Sequence, residues 1–206
     1  MTSATVDHVP ANKGRKLPPE PLSADEVKAL IRACSTRATT GVRNRALIAV
    51  LYRAGLRISE ALALYPKDLD AQGSTIRVLH GKGDHDRVVG LDAGAWAILQ
   101  NWLDRRAAAG INGHARVFCT LKGKPVKTAY VRGLLPRLAR KAGIARRVHA
   151  HGLRHTHAYE LATEGTPIHV IQAQLGHASV ATTDRYIRHL NPSAVVEAMK
   201  ARAWTL

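Results

Sequence analysis

Aromatic residues are scarce in this chain: three tryptophans, five tyrosines and one phenylalanine, 4% of 206 residues. The core must therefore rest on Leu, Ala, Val and Ile. Hydrophobic residues at 46% and charged ones at 22% are ordinary for a globular protein. The length suits one compact domain, or one domain with a short appendage. Cysteine is nearly absent. Cys34 and Cys119 stand far apart and fit no metal-ligand spacing, so two buried thiols in a cytoplasmic protein are expected. Long apolar runs are missing, since charge interrupts each stretch well short of a membrane span. The polar, proline-containing N-terminus carries no secretory signal. No internal repeat and no Rossmann or P-loop glycine pattern is present.

Acidic residues are also in short supply. Lys and Arg total 31 against 15 for Asp and Glu, a formal charge of +16. Such an excess costs self-repulsion and draws in polyanions, the footprint of a nucleic-acid-binding domain. Solubility or ribosome association would also produce it. Charge by itself separates neither DNA from RNA nor a binder from an enzyme.

Residues 1–21, with Pro10, Pro18, Pro19, Pro21 and a basic "KGRK", read as a flexible lead: a linker or a DNA-contacting arm. Order begins at "LSADEVKALIRAC", where Ser23 and Glu26 spell a capping box and Val27, Leu30 and Ile31 one apolar stripe. "VRNRALIAVLYRAG" reads as a helix closed by Gly55, and "ISEALAL" as a short one. "STIRVLHGKGDHDRVVGL" reads as two strands joined by a glycine-containing turn. "DAGAWAILQNWLDRRAAAG" is a predicted helix from an Asp92 N-cap to Gly110, burying Trp96, Leu99, Trp102 and Leu103. "ARVFCTLKGKPVK" reads as a strand with a turn. "TAYVRGLLPRLARKAGI" has helical spacing, and Pro136 predicts a kink or a late start. Helices are predicted over "HGLRHTHAYELATEG" and over "TPIHVIQAQLG", the latter with Thr166 as N-cap and Pro167 at N1. Ser179 can cap a further helix, and Asn191 and Pro192 start the last. The fold class is mainly α with a small antiparallel β-sheet.

"AHGLRHTHAY", following His149, sets histidines 149, 151, 155 and 157 around Arg154. A zinc site would use His151 and His155 at i, i+4, but it needs a third ligand and Arg154 sets a fixed positive charge at its mouth. A helix with packing histidines is a second reading. A phosphate clamp fits better, because a guanidinium offers a planar fork to phosphate oxygens and imidazole adds a donor or proton acceptor. Arg57 stands just past Gly55 in "RAGLRISEALAL", with Glu60 three residues on. Lys82 sits between glycines in "HGKGDHDRVV". His177 follows Gly176 in "LGHASVATTDRYIRH", and Tyr186 comes nine residues later.

In their order these segments, "AGLRISEALAL", "GKGDHDRVV", "HGLRH" and "LGHASVATTDRY", resemble the tyrosine recombinases: phage integrases, chromosome-dimer resolvases and DNA invertases. The resemblance runs from about residue 22 onward. It implies the integrase catalytic-domain fold of DNA breaking-rejoining enzymes over residues 22–206. It implies a site-specific recombinase in which Tyr186 attacks a backbone phosphate, leaving a 3′-phosphotyrosyl link and a free 5′-hydroxyl. Arg57, Arg154 and His177 would hold the non-bridging oxygens, Lys82 would protonate the leaving 5′-oxygen, and His151 would handle the Tyr186 proton. Glu60 matches a supporting position that orients a basic neighbour. Because Arg154 would find its partner on the DNA, Arg154→Ala is expected to leave folding nearly intact. No metal and no other cofactor is implied. The implied partners are double-stranded DNA with specific recombination sites, a synaptic tetramer of the chain itself, and accessory DNA-bending proteins, with no membrane; the location is the cytoplasm, at the nucleoid.

His149, His155, His157 and His169 are expected to be structural, and Tyr52, Tyr65, Tyr130 and Tyr159 to pack. Larger members of the family carry an N-terminal helical domain that closes a clamp on DNA. Here about 22 residues precede the catalytic segment, so a fragment and a natural minimal recombinase are both open. The tail over residues 191–206 carries Val195, Val196, Met199 and Trp204 on one face; it docks on a neighbouring subunit or packs on its own domain. A type IB topoisomerase-like relaxing activity and a non-catalytic DNA-binding regulator are the competing functions.

Overall fold

The computed structural model describes residues 21–79 and 86–176, together with Lys200. Within them the elements run α1 (Ala24–Arg32), α2 (Thr39–Arg53), α3 (Ile58–Ala63), a 3-10 turn (Pro66–Asp68), β1 (Leu69–Asp70), β2 (Thr75–Val78), β3 (Arg87–Gly90), α4 (Ala93–Ala108), α5 (Thr128–Lys141), α6 (Ala150–Thr163) and α7 (Ile168–Leu175). The expected class, mainly helical with a small antiparallel sheet, is what is found.

The centre is α2. Its run from Ala46 to Leu51 is wholly apolar, and the helix is buried nearly all round, as a helix without a polar face must be. It packs most extensively on α4 and then α6. Arg43 is buried at its start; its guanidinium donates to the Cys119 carbonyl at 3.0 Å and to Asn44 Oδ1, and stacks over the Tyr130 ring. The α4 helix starts as expected on Asp92, whose carboxylate accepts from the Ala95 N–H at 3.1 Å. Leu99 and Trp102 are fully buried, Trp96 and Leu103 only partly. Trp102 donates its indole N–H to the Val117 carbonyl at 2.8 Å. Buried Arg106 ties down the following loop through the carbonyls of Ile111, Asn112 and Ala115. Both cysteines are buried free thiols, as expected.

The sheet is antiparallel in the order β1-β2-β3, with Leu69 opposite Ile76 and Arg77 opposite Val88. Ile76, Val78 and Val89 point into the core. The sequence reading passed over β1, which has two residues and joins β2 through a turn held by Asp70 Oδ1, an acceptor for the Gln72 and Gly73 N–H groups. Three expectations need correction. The segment 115–127 contains no strand beyond a bridge between Cys119 and Pro125: Thr120 and Val126 donate to the Lys124 and Phe118 carbonyls across it, while the Val117 N–H turns away to the Leu64 carbonyl. Of the kink or late start expected at Pro136, the late start is absent: the α5 helix begins at Thr128 and continues through Pro136. Burial of Val131, Leu134, Leu135, Leu138 and Ala139 offsets the missing hydrogen bond. The N-cap of α7 is Pro167, not Thr166, and no side chain caps that end.

The chain ahead of α1 is anchored on α6. The Leu22 N–H donates to Thr156 Oγ1 at 3.0 Å, and Arg146 holds the Pro21 carbonyl at 2.8 Å. The capping box of Ser23 and Glu26 is present at the start of α1. A small separate cluster of Ala158, Ile171 and Leu175 packs α7 on α6. The outer edge of β3 meets α7 instead of another strand. The Gln174 side-chain amide accepts from the Gly90 N–H at 3.0 Å and donates to the Gly90 carbonyl at 2.9 Å, satisfying two backbone groups of the exposed edge. Among the described residues no helix is long and apolar enough to cross a membrane.

Candidate active site

The end of α2, the start of α3, the middle of α6 and the end of α7 meet at one corner. The turn after α2 sets its geometry. Gly55 adopts φ +62°, and a Cβ there would lie 2.6 Å from His157 Cδ2 and 2.9 Å from a Leu175 methyl. Only glycine meets both the left-handed backbone and the close contact. The chain leaves this turn with Arg57 as the N-cap of α3.

Arg154 projects from α6 into the same corner and is only 3% exposed. Its Nη1 donates to the Gly55 carbonyl at 2.6 Å and its Nη2 to the Leu175 carbonyl at 2.5 Å. The second acceptor belongs to the last turn of α7, where carbonyls lack intrahelical partners and carry the negative end of the helix dipole. Arg57 Nη2 reaches the next carbonyl, that of Gly176, at 3.5 Å. Two guanidiniums distant in sequence thus converge on adjacent carbonyls, one residue ahead of His177. Arg154 is bound into the protein by these two buried bonds, so the premise that its partner lies on the DNA, from which folding was expected to survive its removal, is corrected.

His151 lies on the exposed side of α6. Its pKa is pulled below the ordinary imidazole value, first by partial desolvation and then by the charges of Arg154, His149 and Arg57. Those causes also place it in the field of both arginines. Its ring meets that of His155 edge to face, with centroids 4.2 Å apart. His149 is the N-cap of α6, its Nδ1 accepting from the Gly152 N–H at 2.7 Å. His155 and His157 are buried. The structural roles expected of His149, His155 and His157 agree with these positions. His157 is 4% exposed, and neither ring nitrogen has a hydrogen-bond partner among the described residues. Burial, then Arg53 and Arg154, depress its pKa to about 4, against a smaller opposing pull from Asp92.

Glu60 stands beside Arg57. Its Oε2 accepts from the Arg57 backbone N–H at 2.8 Å and its Oε1 from Arg57 Nη1 at 2.8 Å. A third arginine, Arg87 at the start of β3, closes on the same carboxylate, Nη1 to Oε1 at 3.1 Å and Nη2 to Oε2 at 2.8 Å. Burial by itself would raise the Glu60 pKa. The bonds from Arg87 and Arg57 outweigh it and hold the value at about 2. Arg87 escaped the sequence reading although it lies within the quoted "GKGDHDRVV". Its one signal was a charged residue at a strand position beside two valines, and sequence alone does not pair it with Glu60.

Of the residues singled out from sequence, Arg57, Glu60, His151 and Arg154 share this corner. Lys82, His177 and Tyr186 lie outside the described residues, as do Ser179 and the tail over residues 191–206 apart from Lys200.

Residues 20–192 match the model of the phage integrase family. The chain is 37% identical over 172 residues to the tyrosine recombinase XerD of Ralstonia nicotianae, an alignment covering 82% of this chain and 55% of that protein. It therefore spans about half the length of the curated relatives it matches. Among solved structures, the XerA recombinase superposes with a TM-score of 0.77 at 37% identity, covering 95% of this chain and 70% of that one. The XerH site-specific recombinase, bound to its palindromic difH substrate in a post-cleavage complex, superposes with a TM-score of 0.72 at 31% identity, covering 89% of this chain and 53% of that one. Fold, corner geometry and family match agree: the chain belongs to the phage integrase family.

Proposed function

We propose that this chain is the catalytic unit of a site-specific DNA recombinase that cleaves and rejoins strands through a phosphotyrosyl intermediate. The observation that carries the reading is the convergence of Arg57 and Arg154 at the end of α7, with His151 in their field. A phosphodiester carries one negative charge that repels nucleophiles, and more charge spreads over its oxygens in the transition state. Fixed donors aimed at that charge contribute on the order of 3 kcal/mol each. In the proposed step the Tyr186 oxygen bonds to phosphorus as the bond from phosphorus to the 5′-oxygen breaks. The phenol, with an ordinary pKa of about 10, must lose its proton during attack. His151, whose pKa is pulled below the ordinary imidazole value by burial and by Arg154, is the proposed acceptor. Lys82 supplies the proton to the leaving 5′-oxygen, and His177 adds a donor to the phosphate. The tyrosyl ester conserves the bond energy, so a hydroxyl from another strand reverses the step.

Double-stranded DNA is the proposed substrate. The formal charge of +16 and the DNA-bound form of XerH support it. We take residues 22–206 as the catalytic unit and residues 1–21 as its lead. Assembly is proposed as a synaptic tetramer on DNA, with residues 191–206 reaching a neighbouring subunit and accessory DNA-bending proteins assisting. The test is a duplex nicked near the cleavage point, which traps the covalent intermediate. A protein–DNA adduct that disappears in Tyr186→Phe is expected. Absence of an adduct on every site flanking the gene would favour a DNA-binding regulator, and supercoil relaxation without recombination of paired sites would favour a topoisomerase.

A further inference from the structure

We infer that Arg87 is a positioning residue for this reaction: by neutralising and orienting Glu60, it keeps the charge and direction of Arg57 available to the phosphate. The inference rests on the proposed function. A carboxylate offers about four lone-pair sites, and Glu60 fills them with four N–H donors. Oε1 takes Nη1 of Arg57 and Nη1 of Arg87; Oε2 takes the Arg57 backbone N–H and Nη2 of Arg87. The Arg87 arm is a two-bond fork, the geometry in which a guanidinium fixes a carboxylate plane. With that plane fixed, the remaining lone pairs dictate where Arg57 sits.

Charge points the same way. Glu60 and Arg57 by themselves would form a closed, neutral pair, and the carboxylate would offset the charge meant for DNA. With Arg87 included, the three groups sum to one positive charge. Exposure distinguishes the two arginines. The Arg57 side chain is 28% exposed and Arg87 12%, over a Glu60 side chain at 5%. Arg57 therefore faces outward, while both terminal nitrogens of Arg87 are committed to Glu60. The packing around Arg87 leaves it little freedom. A Cβ on Gly176, at φ +63°, would lie 2.7 Å from Arg87 Nε. Arg87 is thus wedged against the residue whose carbonyl Arg57 reaches. Stability alone is a weak reason for the arrangement, since a buried ion pair can often be replaced by apolar residues without loss.

The test compares Arg87→Met and Arg87→Lys with wild type in single-turnover cleavage of the nicked duplex at saturating protein. Two substrates are used, one with the natural phosphate and one with a neutral methylphosphonate at the cleaved position. Melting temperature and DNA affinity are measured alongside. A misplaced Arg57 should slow cleavage of the natural substrate by roughly 100-fold in Arg87→Met and roughly 10-fold in Arg87→Lys, the scale expected for an ångström-sized displacement. The deficit should shrink to a few-fold on the methylphosphonate, which lacks the charge Arg57 must offset. Arg87→Met combined with Glu60→Gln should be no slower than the slower single variant. Equal deficits on both substrates, additive effects, or unimpaired cleavage by either folded variant would overturn the inference. If Arg87→Met does not fold, Arg87→Lys carries the comparison. A wild-type chain that forms no adduct overturns the proposed function and this inference with it.

Discussion

Acidification below pH 6.5 should weaken this fold well before its carboxylates begin to protonate, with His157 as the main cause. Its ring is buried against the Gly55 turn, and among the described residues neither nitrogen has a hydrogen-bond partner. Charged groups face it from three elements: Arg53 on α2 and Arg154 on α6 oppose protonation, and Asp92 ahead of α4 favours it. The folded pKa, about 4, lies below the ordinary 6.5, so the unfolded chain binds the proton more readily. The associated stability is fully present above pH 6.5 and is lost as the pH falls towards and through 4. The whole displacement is worth roughly 3 kcal/mol, of which about 2.5 kcal/mol should vanish between pH 7.5 and 4.5. Glu60, with its pKa held at about 2 against an ordinary 4.5, has the same sign but acts in a lower window. His151 shares the direction, so a variant is needed to isolate His157. His157→Met should cost less than about 1.5 kcal/mol at neutral pH, because it breaks no hydrogen bond among the described residues and thioethers adapt to irregular space. Urea unfolding of wild type and variant at pH 7.5, 5.5 and 4.5 makes the comparison. The variant should lose about 2.5 kcal/mol less than wild type over that range. Parallel losses, or an NMR titration of His157 near its ordinary value, would refute the reasoning.

Arg154→Ala should abolish covalent adduct formation and also lower stability by roughly 2–5 kcal/mol, because two buried carbonyls lose their donor; calorimetry that finds an unchanged melting temperature would contradict the structure. Gly55→Ala should destabilise by more than about 1 kcal/mol, combining the left-handed backbone cost with displacement of His157 and Leu175. In denaturant titrations, Gly110→Ala makes the control: its φ is +70°, with nothing within 4 Å of the added Cβ. A cost at Gly55 no larger than at Gly110 would show that the corner is not tightly packed.

Local rules made much of this protein legible from sequence. The Ser23–Glu26 box, the Asp92 cap, the Gly55 stop and the apolar periods of α1 and α4 act within one or two helical turns, and the structure shows each of them. Motif order and spacing identified the family and named four residues that the fold gathers at one corner. Errors arose where distant burial overrode local preference, as in the late start allowed for at Pro136, which α5 does not have. Another arose over residues 115–127, where the Val117 N–H goes to the distant Leu64 carbonyl instead of a hairpin partner. What only the tertiary structure decided is pairing across the chain. No sequence period joins Arg87 to Glu60, Gln174 to the edge of β3, or Arg154 to the Gly55 and Leu175 carbonyls. Those contacts depend on how α6, α7 and the sheet pack around α2, and hydrogen bonds between buried groups are specified by three-dimensional proximity rather than by spacing along the chain.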